Sequence, residues 1–137
     1  MHNAGICQFA DFTSVTLAQR DRHMSVNYSG PFAITQAIVK QMIAQGRGGS
    51  VVCISSITAT LGSAQLTHYS PTKAALLGMT VSCAVALDKY GIRFNAVSPG
   101  IIETSLNKED LQGPKRDLMT KGVPLGRLAS RKISPGR

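Results

Sequence analysis

Hydrophobic positions recur along this chain with two different spacings. Two short runs rich in valine and isoleucine, residues 50–54 and Ile92–Val97, are typical of buried parallel strands. Two longer segments, residues 16–45 and about 69–90, place apolar residues at near-helical intervals and predict long helices. Because strands alternate with helices, the pattern indicates an α/β fold with a parallel sheet.

Local signals divide the predicted helices. Thr16 and Gln19 have the spacing of a capping box at the start of the first helix. Pro31 interrupts that helix, since it removes one backbone hydrogen bond, and a kink is expected close to Asn27. Gly91 has the position of a C′ glycine and ends the second helix.

Three polar side chains around the second helix form a candidate proton-transfer site. If Pro71 lies in the first turn of the helix, Tyr69 and Lys73 stand four residues apart on one face. A cation near a phenol favours the phenolate, so Lys73 is expected to lower the pKa of Tyr69. Ser56 follows a predicted strand, and its hydroxyl would emerge at the carboxyl end of the sheet, where ligands bind in open α/β folds.

These three groups together suit one kind of chemistry. A hydroxyl donor, a phenol and an ammonium that converge on one oxygen match hydride transfer between an alcohol and a nicotinamide. On its own, a tyrosine four residues before a lysine is more often an exposed amphipathic helix face. The assignment therefore depends on the rest of the chain.

Composition agrees with one globular domain. The 137 residues are 43% hydrophobic and 16% charged, and no apolar run reaches the length of a membrane span. The chain opens without a basic region followed by an apolar core, so we expect a cytoplasmic protein with no membrane partner. The three cysteines and three histidines lack the spacings of a disulfide framework or a metal site, and we expect neither.

The net charge of +8 is concentrated near the end of the chain. Residues 115–137 hold seven Lys or Arg and one Asp, a net +6, and the remainder has a net +2. A basic end without interleaved aromatic residues is usually a solvated segment, so we expect no nucleic-acid partner.

Four stretches in order resemble the motifs of the short-chain dehydrogenase/reductase family. They are HNAG at residues 2–5, VNYSGPF at 26–32, the Ser, Tyr and Lys of 56–73, and NAVSPG at 95–100. The resemblance implies that residues 1–128 are the second, catalytic half of a Rossmann-like domain with a doubly wound parallel sheet, and that 129–137 form a divergent, disordered tail. The Gly-rich phosphate-binding turn that opens such domains is not in this sequence, so we expect an incomplete domain and a pyrophosphate site that does not form.

The resemblance also implies a role for individual residues. Tyr69 would be the general acid/base, Lys73 would lower its pKa, Ser56 would polarise the substrate oxygen, and Asn27 would hold a water that links the lysine to solvent. The implied substrate contacts are Ser56, Thr58 and Tyr69. The implied contacts to NAD or NADP are Asn3, Ala4, Gly5, Tyr69, Lys73, Pro99, Gly100, Ile102 and Thr104.

Three functions follow as expectations. Three segments resemble fungal members of the family that oxidise the anomeric carbon of L-rhamnose: NAGICQFADF, THYSPTKA and YGIRFNAVSPGIIETSLNKEDL. This resemblance implies a small-molecule sugar substrate. A 3-oxoacyl or ketone reductase would use the same residues. The third alternative is a non-catalytic chain that pairs with full-length subunits, because the family forms homo-oligomers through its two long helices.

Overall fold

The computed structural model describes residues 1–104 and 111–130, which belong to two compact units, Met1–Ser98 and Pro99–Arg137. The first unit contains α1 (Leu17–Met24), α2 (Gly30–Gln45), β1 (Gly49–Ile54), α3 (Thr58–Leu61), α4 (Ser70–Leu87) and β2 (Ile92–Val97). The second contains β3 (Ile102–Glu103), α5 (Gly113–Lys121) and β4 (Ala129–Ser130). Each unit is described by itself.

The sheet of the first unit is parallel, as predicted. β1 and β2 pair from Gly49 opposite Ile92 to Ile54 opposite Val97. A third segment joins them at His2, which bridges to Cys53 in parallel orientation through hydrogen bonds of 2.9 and 3.0 Å to Val52 and Ile54. The residues after His2 and after β1 therefore leave the sheet at the same end, where a parallel sheet presents its ligand sites.

The first long helix is divided by one π-helical turn. Thr16 accepts a hydrogen bond from the Gln19 N–H and the Gln19 side chain accepts one from the Thr16 N–H, which confirms the capping box. Between α1 and α2 the segment Ser25–Ser29 is π-helical, and Pro31 occupies the first turn of α2. The predicted distortion at Asn27 is confirmed and takes the form of a widened turn.

α4 packs on the sheet and forms the centre of the core. Pro71 lies in its first turn, as predicted, and a 3₁₀ turn (Asp88–Tyr90) leads to Gly91 in the left-handed conformation. The residues between β1 and α4 include the short helix α3. The buried core consists of Val39, Val51, Cys53, Leu76, Met79, Ile92 and Phe94.

One face of α4 is exposed and carries no charge. We call it the α4 outer face and define it as Ala74, Gly78, Val81, Ser82 and Val85. Val81 and Val85 are 66% and 78% exposed. By length and composition alone, residues 70–90 are apolar enough to cross a membrane, a property that core helices of globular folds share.

The second unit contains a short parallel pair. β3 and β4 align Ile102 with Ala129, and an ion pair joins Arg116 of α5 to Glu103. Ala129 and Ser130 thus form a strand, whereas residues 131–137 of the expected divergent tail lie outside the described residues. A domain boundary at residue 128 stays a prediction.

Candidate active site

Ser56, Thr58 and Tyr69 meet beyond the carboxyl end of β1. The Ser56 and Thr58 hydroxyls are 3.0 Å apart, and the Thr58 N–H donates to Oγ of Ser56 at 3.2 Å. The Ser56 side chain also interacts with the phenol of Tyr69, whose pKa it lowers. The three residues predicted to contact substrate therefore form one polar group. Ser56 and Thr58 follow the end of β1, and Tyr69 directly precedes α4.

Lys73 is anchored beneath this group. Its ammonium donates to the carbonyl oxygen of Ile54 at 3.0 Å, at the last residue of β1, and lies 5.7 Å from the centroid of the Tyr69 ring. The Ser55 hydroxyl donates to the carbonyl oxygen of Lys73 at 2.8 Å. Lys73 is only 6% exposed, so its charge is held in a defined place next to the phenol.

Asn27 joins three parts of the first unit. Its Oδ1 accepts the Ile6 N–H at 2.8 Å, and its Nδ2 donates to the Ile6 carbonyl oxygen at 2.9 Å and to Oγ1 of Thr72 at 3.1 Å. Thr72 in turn donates to the carbonyl oxygen of Tyr69 at 2.7 Å. Asn27 and Thr72 are both fully buried. The π-helical turn thus fastens the loop after His2 to the turn that presents Tyr69.

Gly5 approaches both Asn27 and Lys73. A Cβ atom on this glycine would lie 3.2 Å from Oδ1 of Asn27 and 3.5 Å from Nζ of Lys73. The first of these distances is tighter than ordinary van der Waals contact, so any other residue here would press on the asparagine amide. The glycine of the HNAG motif lets the backbone pass close to the predicted proton-transfer groups.

The pKa of Tyr69 differs from the expectation. Burial raises the pKa of this phenol, the charge of Cys7 raises it further, and the hydrogen bond with Ser56 acts in the opposite direction. The sequence led us to expect a pKa lowered by Lys73, and that expectation is wrong for this structure. The ammonium points at the Ile54 carbonyl and faces the ring of Tyr69, while desolvation favours the neutral phenol.

Burial also shifts the pKa values of Lys73 and Cys7, the two neighbours of Tyr69. The pKa of Lys73 is lowered by desolvation, against which the charges of Cys7 and Cys53 act. The pKa of the Cys7 thiol is raised by desolvation, and Lys73 acts against that shift. The side chains of Tyr69, Lys73 and Cys7 therefore interact electrostatically, and burial favours the neutral form of each.

The remaining predicted cofactor contacts lie outside the group formed by Ser56, Tyr69 and Lys73. Asn3 and Ala4 are exposed in the loop between His2 and Gly5. Four predicted cofactor contacts belong to the second unit, and their part in binding stays a prediction: Pro99, Gly100, Ile102 and Thr104.

Two residues of the site were missed by sequence reasoning. Thr72 follows Tyr69 by three positions on the same helix face, and this spacing was the available signal. Ser55 is buried. It points away from Ser56, because the side chains of neighbouring residues at the end of a strand point to opposite faces of the sheet. Their hydroxyls hold the backbone of the catalytic helix rather than facing a ligand.

The residues present suit a nicotinamide cofactor. The Lys73 ammonium carries three donor hydrogens, of which one goes to Ile54, so donors remain for ribose hydroxyls. The close approach of Gly5 keeps side-chain bulk away from this ammonium. Over residues 1–104 and 111–130, no three His, Cys, Asp or Glu side chains lie together as they would to hold a metal ion.

Comparison with known proteins places these features in a family. Residues 1–133 match the family described as Enoyl-(Acyl carrier protein) reductase. The chain is 48% identical over 135 residues to the L-rhamnose-1-dehydrogenase of Scheffersomyces stipitis, covering 98% of this chain and 52% of that protein. It is 49% identical over 129 residues to the L-rhamnose 1-dehydrogenase (NAD(P)(+)) of Azotobacter vinelandii, covering 93% and 50%.

A solved structure agrees with these matches. A gluconate 5-dehydrogenase from Burkholderia cenocepacia, in complex with NADP and tartrate, superposes with a TM-score of 0.88 at 31% identity. The superposition covers 93% of this chain and 50% of that one. The chain therefore spans about half the length of the relatives it matches.

Proposed function

The chain belongs to the short-chain dehydrogenase/reductase family, and we propose that it carries the catalytic half of an NAD(P)-dependent dehydrogenase that acts on L-rhamnose or a similar sugar. The observation that carries this proposal is the grouping of Ser56, Tyr69 and Lys73 beyond the end of β1. The substrate class is supported by the names of relatives that share almost half of their aligned residues with this chain.

In sugar oxidation, the phenolate form of Tyr69 accepts the proton of the anomeric hydroxyl. Ser56 donates a hydrogen bond to the same oxygen and positions it against the phenol, and Thr58 orients Ser56 through their 3.0 Å contact. A bound nicotinamide supplies the hydride acceptor. Oxidation at the anomeric carbon converts the cyclic sugar into a lactone.

Lys73 has a binding role in this proposal. One of its donor hydrogens goes to the Ile54 carbonyl oxygen, and the remaining two bind ribose hydroxyls of the cofactor. Since burial raises the pKa of Tyr69, the neutral phenol predominates at neutral pH, and the phenolate that sugar oxidation needs forms as the pH is raised. The same residue is therefore a ready proton donor for carbonyl reduction, which keeps a ketone or 3-oxoacyl reductase as the alternative.

The wider cofactor site is assigned by resemblance. Asn3, Ala4 and Gly5 follow the strand segment at His2, and Gly5 has the close backbone approach that such a loop needs. Pro99, Gly100, Ile102 and Thr104 are assigned to the nicotinamide half. Asn27 is assigned to a water-mediated relay to Lys73, beside its observed bonds to Ile6 and Thr72.

We also assign the α4 outer face to contact with a second subunit. Five small or apolar side chains cover more than two turns of helix without a charge, and a symmetric helix pair would remove them from water. Replacing Val85 by Asp should convert dimers to monomers in light scattering. Leu17→Asp, an equally exposed apolar position on α1, is the matched control. The cytoplasmic location and the absence of membrane and nucleic-acid partners stay predictions.

The decisive experiment places this chain in a complete domain. A hybrid in which it replaces the matching half of the Azotobacter vinelandii relative is assayed with L-rhamnose and either NAD or NADP, next to the 137-residue chain alone. We expect the hybrid to reduce cofactor with L-rhamnose, and Tyr69→Phe in the hybrid to abolish that activity. A folded hybrid that is inactive on sugars but reduces ketones would replace the sugar assignment with the reductase alternative. A Tyr69→Phe hybrid of undiminished activity would overturn the mechanism.

A further inference from the structure

Two buried histidines outside the catalytic group touch each other. His23 of α1 and His68 have ring centroids 4.4 Å apart and ring planes at 89°, in an edge-to-face contact. Both are almost completely buried. His68 directly precedes Tyr69, and His23 lies one turn before Asn27. The contact therefore joins the segments that carry two of the proposed catalytic residues.

The polar atoms of this contact suit neutral rings. Nδ1 of His23 is 2.8 Å from the carbonyl oxygen of Gln19, which only accepts, so Nδ1 is the donor in this contact. Within the described residues, Nε2 of His23 and both nitrogens of His68 have no hydrogen-bond partner. An imidazolium would need an acceptor for each N–H, so protonation would place an uncompensated charge in the interior.

The surroundings of His68 also favour its neutral form. Burial lowers the pKa of His68 from its ordinary value of 6.5, and the neighbouring charge of His23 lowers it further. The backbone of Gln8 acts in the opposite direction, although neither nitrogen is in hydrogen-bond geometry with it. Of the charged neighbours of His23 on α1, Arg20 and Asp21 pair with each other at 2.7 Å on the exposed surface, and Arg22 follows them.

We propose that His23 and His68 are a positioning pair, whose edge-to-face contact holds the Tyr69 turn against the helix of Asn27, and that protonation of His68 in mildly acidic solution releases that turn. The functional meaning rests on the roles proposed above for Tyr69 and Asn27. The pair acts on the two catalytic residues through the chain and touches neither substrate nor cofactor. It works beside the Thr72 bridge, which contains no group that titrates near neutral pH.

The sign of the pH effect follows from the burial. The unfolded chain binds protons at His68 below about 6.5, whereas the folded chain resists them. Stability is therefore complete above that value and falls as the pH is lowered through it. Cys7 and Lys73 also face Tyr69 and titrate, but the histidine substitutions leave both in place, so only the histidine-linked part of any change is removed.

The test is an NMR titration of the full 137-residue chain. Imidazole resonances report His23 and His68, and the Asn27 amide and the Tyr69 ring report the position of the turn. In the unaltered chain we expect the Asn27 and Tyr69 resonances to shift with the midpoint of His68. In His23→Phe, which keeps an aromatic ring, we expect the midpoint of His68 to rise, because the coulombic influence of His23 that lowers the pKa of His68 is removed. His2→Gln is the control and should leave both responses unchanged.

Two results would overturn the proposal. One is a set of Asn27 and Tyr69 resonances that ignore the titration of His68 in the unaltered chain, a measurement that needs no variant to fold. The other is an unchanged His68 midpoint in a folded His23→Phe. Activity of the sugar-oxidising hybrid is measured separately, so an active hybrid with unlinked resonances would refute the pair alone. Linked resonances with an inactive hybrid would refute the dehydrogenase assignment alone.

Discussion

Removing the hydroxyl of Thr72 tests the connection between Asn27 and the catalytic turn. Thr72→Val keeps the branched shape of the side chain but deletes the oxygen that accepts from Nδ2 of Asn27 and donates to the Tyr69 carbonyl. Thr80→Val is the matched control. Thr80 is a second buried threonine of α4, and its hydroxyl donates to the Leu76 carbonyl at 2.8 Å.

The two substitutions should differ in magnitude. Each loses one hydrogen bond from a side chain to the backbone of its own helix, which contributes about 1 kcal/mol. Only Thr72→Val also leaves an N–H of the buried Asn27 amide without its acceptor, at a further cost of about 1–3 kcal/mol. We therefore expect Thr80→Val to reduce the free energy of unfolding by about 1 kcal/mol and Thr72→Val by about 2–4 kcal/mol.

Urea unfolding of the 137-residue chain, followed by far-ultraviolet circular dichroism, measures both values. The slope with urea concentration should be the same for both variants, so that the midpoints report stability. An equal loss in the two variants would refute the argument, since it would mean that Asn27 gains nothing from Thr72. The Asn27 amide resonance should move in Thr72→Val and stay in place in Thr80→Val.

Two further predictions concern a backbone contact and a proton. Gly48 and Gly46 both have positive φ angles, but a Cβ on Gly48 would lie 2.5 Å from the carbonyl oxygen of Gly91, whereas Gly46 has open space. Gly46→Ala should therefore cost about 1 kcal/mol and Gly48→Ala at least about 2 kcal/mol more in urea unfolding, and equal losses would contradict the close approach. Because burial raises the pKa of Tyr69, its phenolate absorbance should develop only above the ordinary range of tyrosine, and Tyr69→Phe should remove that late step. Loss of a step within the ordinary range of tyrosine in the variant would contradict the raised pKa.

Sequence reasoning succeeded where a local signal determines local structure. The capping box at Thr16, the first-turn position of Pro71 and the left-handed Gly91 each follow from the conformational preference of a few neighbouring residues. The parallel pairing of β1 with β2 follows from the connecting helix. The spacing of Tyr69 and Lys73 placed both at the same turn of α4 for the same reason.

The electrostatic expectation was wrong because it depends on long-range packing. The four-residue spacing brings the Lys73 ammonium near the Tyr69 ring, but the end of β1 decides where it points, since the Ile54 carbonyl takes one of its hydrogens. Burial raises the pKa of Tyr69, and the charge of Cys7, a residue distant in sequence, raises it further. The contact between His23 and His68 joins positions 45 residues apart, and no periodic pattern in the sequence predicts it.

The π-helical turn at Ser25–Ser29 also limits how the length of this chain can vary. Such a turn holds one residue more than an α-helical turn would, so the faces of α1 and α2 are out of phase by about 100° compared with one continuous helix. Deleting a single residue here would give a more regular helix, yet it would rotate His23 away from His68 and turn Asn27 out of reach of Ile6. Insertions and deletions in this helix are therefore expected to be excluded during evolution, even though its residues can change identity.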